Sequence, residues 1–328
     1  MNDVYIRGIG KYIPEKILTN FDLEKMVETN DEWITTRTGI KERHLAADGE
    51  AASDLGYHAA EEAIRSAGLT VDDIDLIIVA TITGDLPFPA TACVIHEKLK
   101  AKRAAAFDIS AACAGFPFAL SIGSQFIRTG VYTNILVIGT EALSRFTDWQ
   151  DRGTCILFGD GAGAAVISST PGTTRARVVS DYLATNGEHV PLLFTPAGGS
   201  RTPTTHATVD ERLHYIKMEG NAVFKIAVKS MSDAVTKLLE KNNMTIDDVD
   251  TLIPHQANLR IIRAVGKAVG IADEKVFVNV DKYGNMSSAT TIVALYDAVQ
   301  QGVVKPGSKA LLVAFGGGFV WGATLVEW

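Results

Sequence analysis

The segment Thr70–Ala80, TVDDIDLIIVA, returns as Thr245–His255, TIDDVDTLIPH. Each copy follows an amphipathic helical pattern. Asp75–Thr81, DLIIVAT, is apolar without alternation, the pattern of a strand buried on both faces of a parallel sheet. Two further correspondences accompany the first. Phe158-Gly159-Asp160-Gly161 matches Phe315-Gly316-Gly317-Gly318, each running into an apolar strand. The strand-to-helix turn at Cys113 matches that at Asn285, each followed at the same spacing by a glycine, Gly130 and Gly302. Two copies of one βαβ-rich unit, over residues 1–172 and 173–328, imply an α/β fold. Its duplicated halves would be related by a pseudo-twofold, each with its own sheet, and equivalent turns would meet at a common centre.

Outward from this repeat, the N-terminal MNDVYIRGIGKYIPE alternates like a strand and ends in a proline turn, with no signal-peptide pattern. A helix is expected over Thr19–Glu28, then a polar loop, NDEWITTRTGIKERH, carrying Trp33, Arg37 and Arg43. Trp33 among arginines suits either nucleotide stacking or packing beneath that loop. Ser53–Ala67 is amphipathic. After the Pro-rich GDLPFPAT, a helix carries Cys93, expected in the core, and His96, expected at the surface. FGDGAGAA is not a dinucleotide loop, because a β-type run rather than a helix follows it, and Cys155 reads as a core-strand residue. Thr195–Thr208, TPAGGSRTPTTHAT, lacks apolar periodicity and reads as a mobile surface loop or lid. Gly220–Lys241 is a long amphipathic helix.

The chain has 328 residues, 47% of them apolar, enough for a large core. A net charge of −7 argues against general binding to nucleic acid or an anionic membrane. No apolar run reaches the roughly 18 to 20 residues of a bilayer span. Three cysteines without a CxxC or Cys/His pattern fit a reduced, cytoplasmic setting and no metal site.

Cys113 stands in AFDISAACAGFPFALSIGSQFIRTG, where a short strand turns into a helix of roughly four turns. Unpaired N–H groups at a helix N-terminus favour a thiolate and can hold an oxyanion. Small neighbours leave the sulfur approachable. A buried structural cysteine fits the same context. His255 closes the strand TLIPH, and Asn285 opens the turn YGNMSSAT, so the repeat brings all three toward one crevice. Such a set can carry an acyl thioester and stabilise an enolate, or serve a Cys-His-Asn hydrolase. Ala-rich walls and the final FGGGFVWG turn favour a dry slot over a site that activates water.

Six stretches in this order, NDEWITTRTGIKERH, FDISAACAGF, DRGTCILFGDGAGA, PHQANLRII, YGNMSSA and AFGGGFVWG, resemble the thiolase-fold condensing enzymes, within them the β-ketoacyl-acyl-carrier-protein synthase III family. The resemblance spans essentially the whole chain and implies a thiolase-like fold layered αβαβα. It implies Cys113 as acylated nucleophile, His255 and Asn285 as the enolate-stabilising pair, and the backbone N–H groups of Cys113 and Gly317 as oxyanion hole. Trp33, Arg37, Arg152, Gly220, Phe224 and Asn258 match coenzyme A contacts, which favours the stacking role of Trp33. Phe88 matches a position that closes the acyl pocket across a homodimer, and its bulk, with Phe315, suggests acetyl as the primer. The implied substrates are acyl-coenzyme A and malonyl-acyl-carrier protein, with no cofactor.

Arg260, Arg263 and Lys267 fall at i, i+3 and i+7 of the helix after His255, with Lys225 and Lys229 on the preceding helix. This basic stripe suits an acidic carrier protein, though a solvated helix face has the same spacing. A Cys-His-Asn condensing enzyme with a specialised starter in secondary metabolism is the alternative within the fold. A thiolase is disfavoured by the absence of a second cysteine near FGGGFVWG.

Overall fold

The structure is a computed structural model that describes residues 1–173 and 175–328. Nine strands form its main sheet: β1 Tyr5–Tyr12, β2 Leu76–Ala80, β3 Ala105–Ile109, β4 Asn134–Ala142, β5 Asp160–Ser168, β6 Arg177–Thr185, β7 Thr251–Pro254, β8 Lys309–Gly316 and β9 Val320–Glu327. Their order is β7-β8-β9-β6-β1-β5-β4-β2-β3. From the middle outward, β1 pairs antiparallel with β5, β5 with β4, and β4 runs parallel to β2. On the other side β6 pairs antiparallel with β9, β9 with β8, and β8 runs parallel to β7. The two halves therefore repeat one ladder. Instead of lying as separate sheets they join edge to edge through the pair Tyr5–Arg177, flanked by Ile6 N–H to Ala176 O and Val178 N–H to Val4 O, both 2.8 Å.

All five residues of β2 are buried, as expected for a continuous apolar run in the interior of a parallel sheet. The offset between the quoted segments holds beyond them. It relates the capped turns Val71–Asp73 and Ile246–Asp248, the starts of β4 and β8, and the 3₁₀ turns Ala112–Ala114 and Ser287–Ala289. The FGDG and FGGG stretches are not equivalents: Phe315 and Gly316 end β8, whereas Phe158 and Gly159 precede β5 across the corresponding hairpin.

Seven helices place the layers: α1 Asp31–Thr38, α2 Ala52–Ser66, α3 Thr91–Leu99, α4 Gly115–Arg128, α5 Gly220–Lys241, α6 Leu259–Val269 and α7 Thr290–Gln300. Helices α4 and α7 lie between the two half-sheets and touch both; α2 packs outside the first half-sheet and α5 outside the second. That is an αβαβα stack.

Several local expectations change. Trp33 and Arg37 lie on α1, not in a loop. Asn30 caps that helix by accepting the Trp33 N–H at 2.7 Å, and Gly39 ends it at φ 78°. With only Ile34 and Thr38 buried, its caps rather than apolar periodicity carry the helix. The Thr19 cap is present, but its helix stops at Leu23. Cys93 is exposed, because the buried face of α3 is Thr91, Ala92 and Ile95, and His96 is half-buried. Cys155 is buried, but in the short helix Arg152–Cys155 rather than a strand. The 195–208 segment runs into a capped short helix, His206–Asp210. Its far end is held by buried Asp148, which pairs with Arg212 and with Lys217 at 3.2 Å. It is a tethered excursion.

Candidate active site

The turns before α4 and α7 share an uncommon backbone. Ala112 and Ser287 both stand at φ 43°, a left-handed value that costs a side-chain-bearing residue energy and recurs at functional sites. Superposing the turns by this feature makes Ser288, not Asn285, the counterpart of Cys113; Asn285 lies earlier in its turn. The glycine spacing misleads because α7 has 11 residues and α4 has 14.

Each half presses on the turn of the other. A Cβ on Gly316 of β8 would stand 2.5 Å from the Cys113 nitrogen, and one on Gly139 of β4 would stand 2.6 Å from the Ser288 carbonyl oxygen. Only glycine allows these approaches. Cys113 is held there at 8% exposure.

His255 follows β7 directly and donates its backbone N–H to Val313 O at 2.7 Å. Its Nδ1 lies 2.5 Å from the Thr290 hydroxyl at the start of α7. Asn285 is pinned by its own backbone, donating to Leu157 O at 2.8 Å and accepting from Gly159 N–H at 3.0 Å. Its Oδ1 accepts the Ser287 N–H at 2.8 Å, so its Nδ2 group is the free end, without a protein partner among the described residues. Asn258 caps α6 by accepting the Arg260 N–H at 2.8 Å, and its Nδ2 donates to Arg37 O at 3.1 Å.

Cys113, His255 and Asn285 line one cavity of about 650 Å³, together with Trp33, Arg37, Gly220, Phe224, Asn258 and Phe315. Arg152 stands beside it with its guanidinium carbon 5.0 Å from the Trp33 ring, and Arg37 reaches the same ring at 5.8 Å, one helical turn along α1. Lys225 and Arg260 also line the cavity, Arg260 lying 5.5 Å from the Phe224 ring. Lys229, Arg263 and Lys267 are exposed beyond it, and Arg263 pairs with Asp273 at 3.2 Å. Gly317 directly follows β8 and Gly316, its Cβ position 2.9 Å from Leu193 O. Phe88 is not brought in: it is 84% exposed and does not line the cavity of its own chain.

Burial dominates the electrostatics. It pushes the Cys113 thiol up to about 12, against the Ser287 hydroxyl and the backbone N–H that favour the thiolate, while the Glu141 carboxylate adds to the rise. The resting sulfur is therefore a thiol, in contrast to the thiolate expected from a helix N-terminus. The N–H groups of the turn act on charge that develops during reaction. Burial also lowers His255 to about 3, which keeps the imidazole neutral. The unfolded chain takes up this proton below its ordinary value of 6.5, whereas the folded chain does so only near 3. The His255 contribution to stability is thus complete above pH 6.5 and is lost as the pH falls toward 3. Denaturant melts from pH 7 to pH 4 should show a shallower loss of stability in His255→Ala than in wild type, by at most about 1.4 kcal/mol per pH unit. Parallel curves would contradict it.

Ser287, Thr290 and Glu141 are not singled out by sequence reasoning. Ser287 and Thr290 stand in the hydroxyl-rich run SSATT just after Asn285, which is the available signal; Glu141, inside an apolar strand, offers only its misplaced charge.

A Cys from one half and a His and an Asn from the other, lining one cavity of a doubled αβαβα stack, are the arrangement of a thiolase-like condensing enzyme. The family description 3-Oxoacyl-[acyl-carrier-protein (ACP)] synthase III matches residues 107–187, and its C-terminal counterpart matches residues 239–328. The beta-ketoacyl-[acyl-carrier-protein] synthase III of Caldanaerobacter subterraneus subsp. tengcongensis is 51% identical over 323 residues, 98% of this chain and 97% of that protein. Its Desulfitobacterium hafniense namesake is 51% identical over 328 residues, 100% of this chain and 98% of that protein. The crystal structure of 3-oxoacyl-[acyl-carrier-protein] synthase III from Aquifex aeolicus VF5 superposes with a TM-score of 0.90 at 46% identity, covering 99% of this chain and 100% of that one. The chain belongs to the β-ketoacyl-acyl-carrier-protein synthase III family and is an acyltransferase-type condensing enzyme.

Proposed function

We propose that this chain starts fatty-acid chains by joining the acyl group of an acyl-coenzyme A, acetyl being the expected primer, to malonyl-acyl-carrier protein through an acyl thioester on Cys113. The observation that carries this reading is the convergence of Cys113, His255 and Asn285 on one cavity that Trp33, Arg37 and Phe224 also line. The Cys113 sulfur attacks the thioester carbonyl, the bond to the coenzyme A sulfur breaks, and coenzyme A leaves with the thiol proton. Malonyl-carrier protein then loses CO₂, and the electron pair of the broken C–C bond becomes an enolate. His255 and the Nδ2 group of Asn285 donate hydrogen bonds to the enolate oxygen as its charge grows. The enolate carbon attacks the Cys113 thioester; the backbone N–H groups of Cys113 and Gly317 hold the oxyanion. Collapse breaks the C–S bond, and the released sulfur takes a proton from solvent. Neutral donors in a dry pocket suit this better than a charged imidazole, which would surrender its proton to the enolate. Acyl-coenzyme A enters as a substrate, and the sequence of steps calls for no cofactor.

The adenine of coenzyme A would lie between Trp33 and Arg152, with Arg37 near its phosphates and Gly220, Phe224 and Asn258 along the pantetheine arm. Phe88, fully outside its own cavity, would complete the acyl pocket of a partner in a homodimer beside Phe315. The reading also takes 1–172 and 173–328 as two copies of one unit, in a cytoplasmic enzyme. No helix among the described residues is long and apolar enough to cross a membrane. The acidic carrier would dock on Lys225, Lys229, Arg260, Arg263 and Lys267.

Intact-mass measurement tests the core of this. Incubation with acetyl-coenzyme A should add one acetyl group, stable until malonyl-carrier protein discharges it as 3-oxoacyl product. Rapid hydrolysis to free acid would instead mark a hydrolase. For docking, Lys229→Glu is the informative substitution, because Arg260 also lines the cavity and a change there would touch both half-reactions. Lys229→Glu should raise KM for malonyl-carrier protein roughly tenfold and leave acylation by coenzyme A thioesters unchanged. Equal effects on both would defeat the docking surface.

A further inference from the structure

We propose that the Thr290 hydroxyl is the positioning group that keeps the His255 proton on Nε2, and so makes His255 a hydrogen-bond donor. The inference deepens the role given to His255 above and rests on it for its consequence, though not for its geometry.

His255 is 3% exposed, and the sole hydrogen-bond partner of its Nδ1 among the described residues is Thr290 Oγ1 at 2.5 Å. Which ring nitrogen carries the proton is set by the bond the other one makes. Here the partner is itself ambivalent, because a hydroxyl both donates and accepts. Thr290 Oγ1 also lies 3.0 Å from the Ser287 carbonyl. Its single proton therefore has two possible destinations. Directed to Ser287 O, it leaves Oγ1 to accept from an Nδ1–H, and Nε2 then carries a lone pair. Directed to Nδ1, it leaves the proton on Nε2.

The hydrogen bonds leave the second arrangement open, and the cavity favours it. Ser287 O already receives the backbone N–H of Thr290, so it does not depend on the hydroxyl. With the hydroxyl proton on Nδ1, the ring lone pair is met at 2.5 Å and the Ser287 carbonyl keeps its backbone partner, so no buried group is left unpaired. Asn285 also offers its cavity end as a donor, its oxygen being occupied by Ser287 N–H. Two donors can then share one developing oxyanion, whereas an Nε2 lone pair would repel it. Thr290 is 1% exposed and does not line the cavity, so it acts only through the imidazole.

Nitrogen-15 NMR of histidine-labelled enzyme, with His255 assigned by its loss in His255→Ala, reads the proton directly. We expect Nε2 protonated and Nδ1 unprotonated in the wild type. Thr290→Val, which keeps the shape and removes the hydroxyl, should lose that preference and slow condensation roughly ten- to hundredfold. Acylation of Cys113 should stay within about threefold, and Thr290→Ser should restore both signals. A wild-type proton on Nδ1 would overturn the proposal, as would a Thr290→Val enzyme with unchanged tautomer and rate. An unchanged condensation rate in His255→Ala would reject the donor role itself, while the wild-type spectrum still decides the Thr290 assignment on its own. That spectrum also serves if Thr290→Val does not fold.

Discussion

Cys113→Ser is expected to lower acyl transfer and condensation by about four orders of magnitude or more, while moving stability by no more than about 1 kcal/mol. The site offers a sulfur no charged assistance at rest: the thiol is pushed up to about 12, and the nearby histidine is neutral and already engaged with Thr290. The sulfur remains reactive in those surroundings because it is a strong nucleophile and its proton leaves with the departing coenzyme A sulfur, one thioester replacing another. A serine hydroxyl is far less acidic and would need a general base, which a buried imidazole bound as a donor does not supply. Intact mass after incubation with acetyl-coenzyme A should therefore show no adduct, and the thermal midpoint should be nearly that of the wild type. An adduct formed at a comparable rate on a different residue would place the nucleophile elsewhere.

Gly316→Ala should be the most damaging single methyl group near the site. Its Cβ would lie 2.5 Å from the Cys113 nitrogen, 2.9 Å from Ala112 Cβ and 3.2 Å from the Ala114 nitrogen. Two of those neighbours are backbone atoms of a turn already strained at Ala112, so relief requires moving the turn that aims the sulfur. Overpacking of this kind costs about 1–3 kcal/mol of stability. Displacement of the nucleophile by a fraction of an ångström to one ångström should cost condensation about a hundredfold. Gly187→Ala provides the comparison, since a Cβ there meets nothing within 4 Å and no strained φ is involved. Equal behaviour of the two variants in activity and in denaturant midpoint would show that the β8 end does not set the Cys113 position.

Much of this is legible in the order of the residues. The recurrence of TVDDIDLIIVA as TIDDVDTLIPH marks a duplication, and the same offset persists through matching turns, helices and strands. The apolar continuity of β2, the long face of α5 and the strand-turn-helix setting of Cys113 are local patterns of side-chain period and small residues. They survive because short-range sterics and burial agree. The resemblance carried by six motifs points to the family and to the residues around the cavity. Where local signals are weak, errors follow. Helix α1 has almost no apolar face, so its caps have to be weighed above its polarity to place Trp33 and Arg37 on one side. Residue type alone points Cys93 inward, but the rotation of α3 is set by Ala92 and Ile95 packing on their neighbours.

Read along the chain, the residues suffice for the doubled α/β plan, the turn that bears Cys113, and the placing of His255 at the end of the repeated strand and of Asn285 at a turn before a helix. Those depend on periodicity and on neighbours close in sequence. The remainder came from packing. It pressed Gly316 against the turn of the other half, seated Thr290 beneath His255, and reversed the expected charge state of the thiol. Each of these is a contact or a burial between segments separated by long stretches of chain. Desolvation and close approach arise from all the layers at once, and no local pattern encodes them.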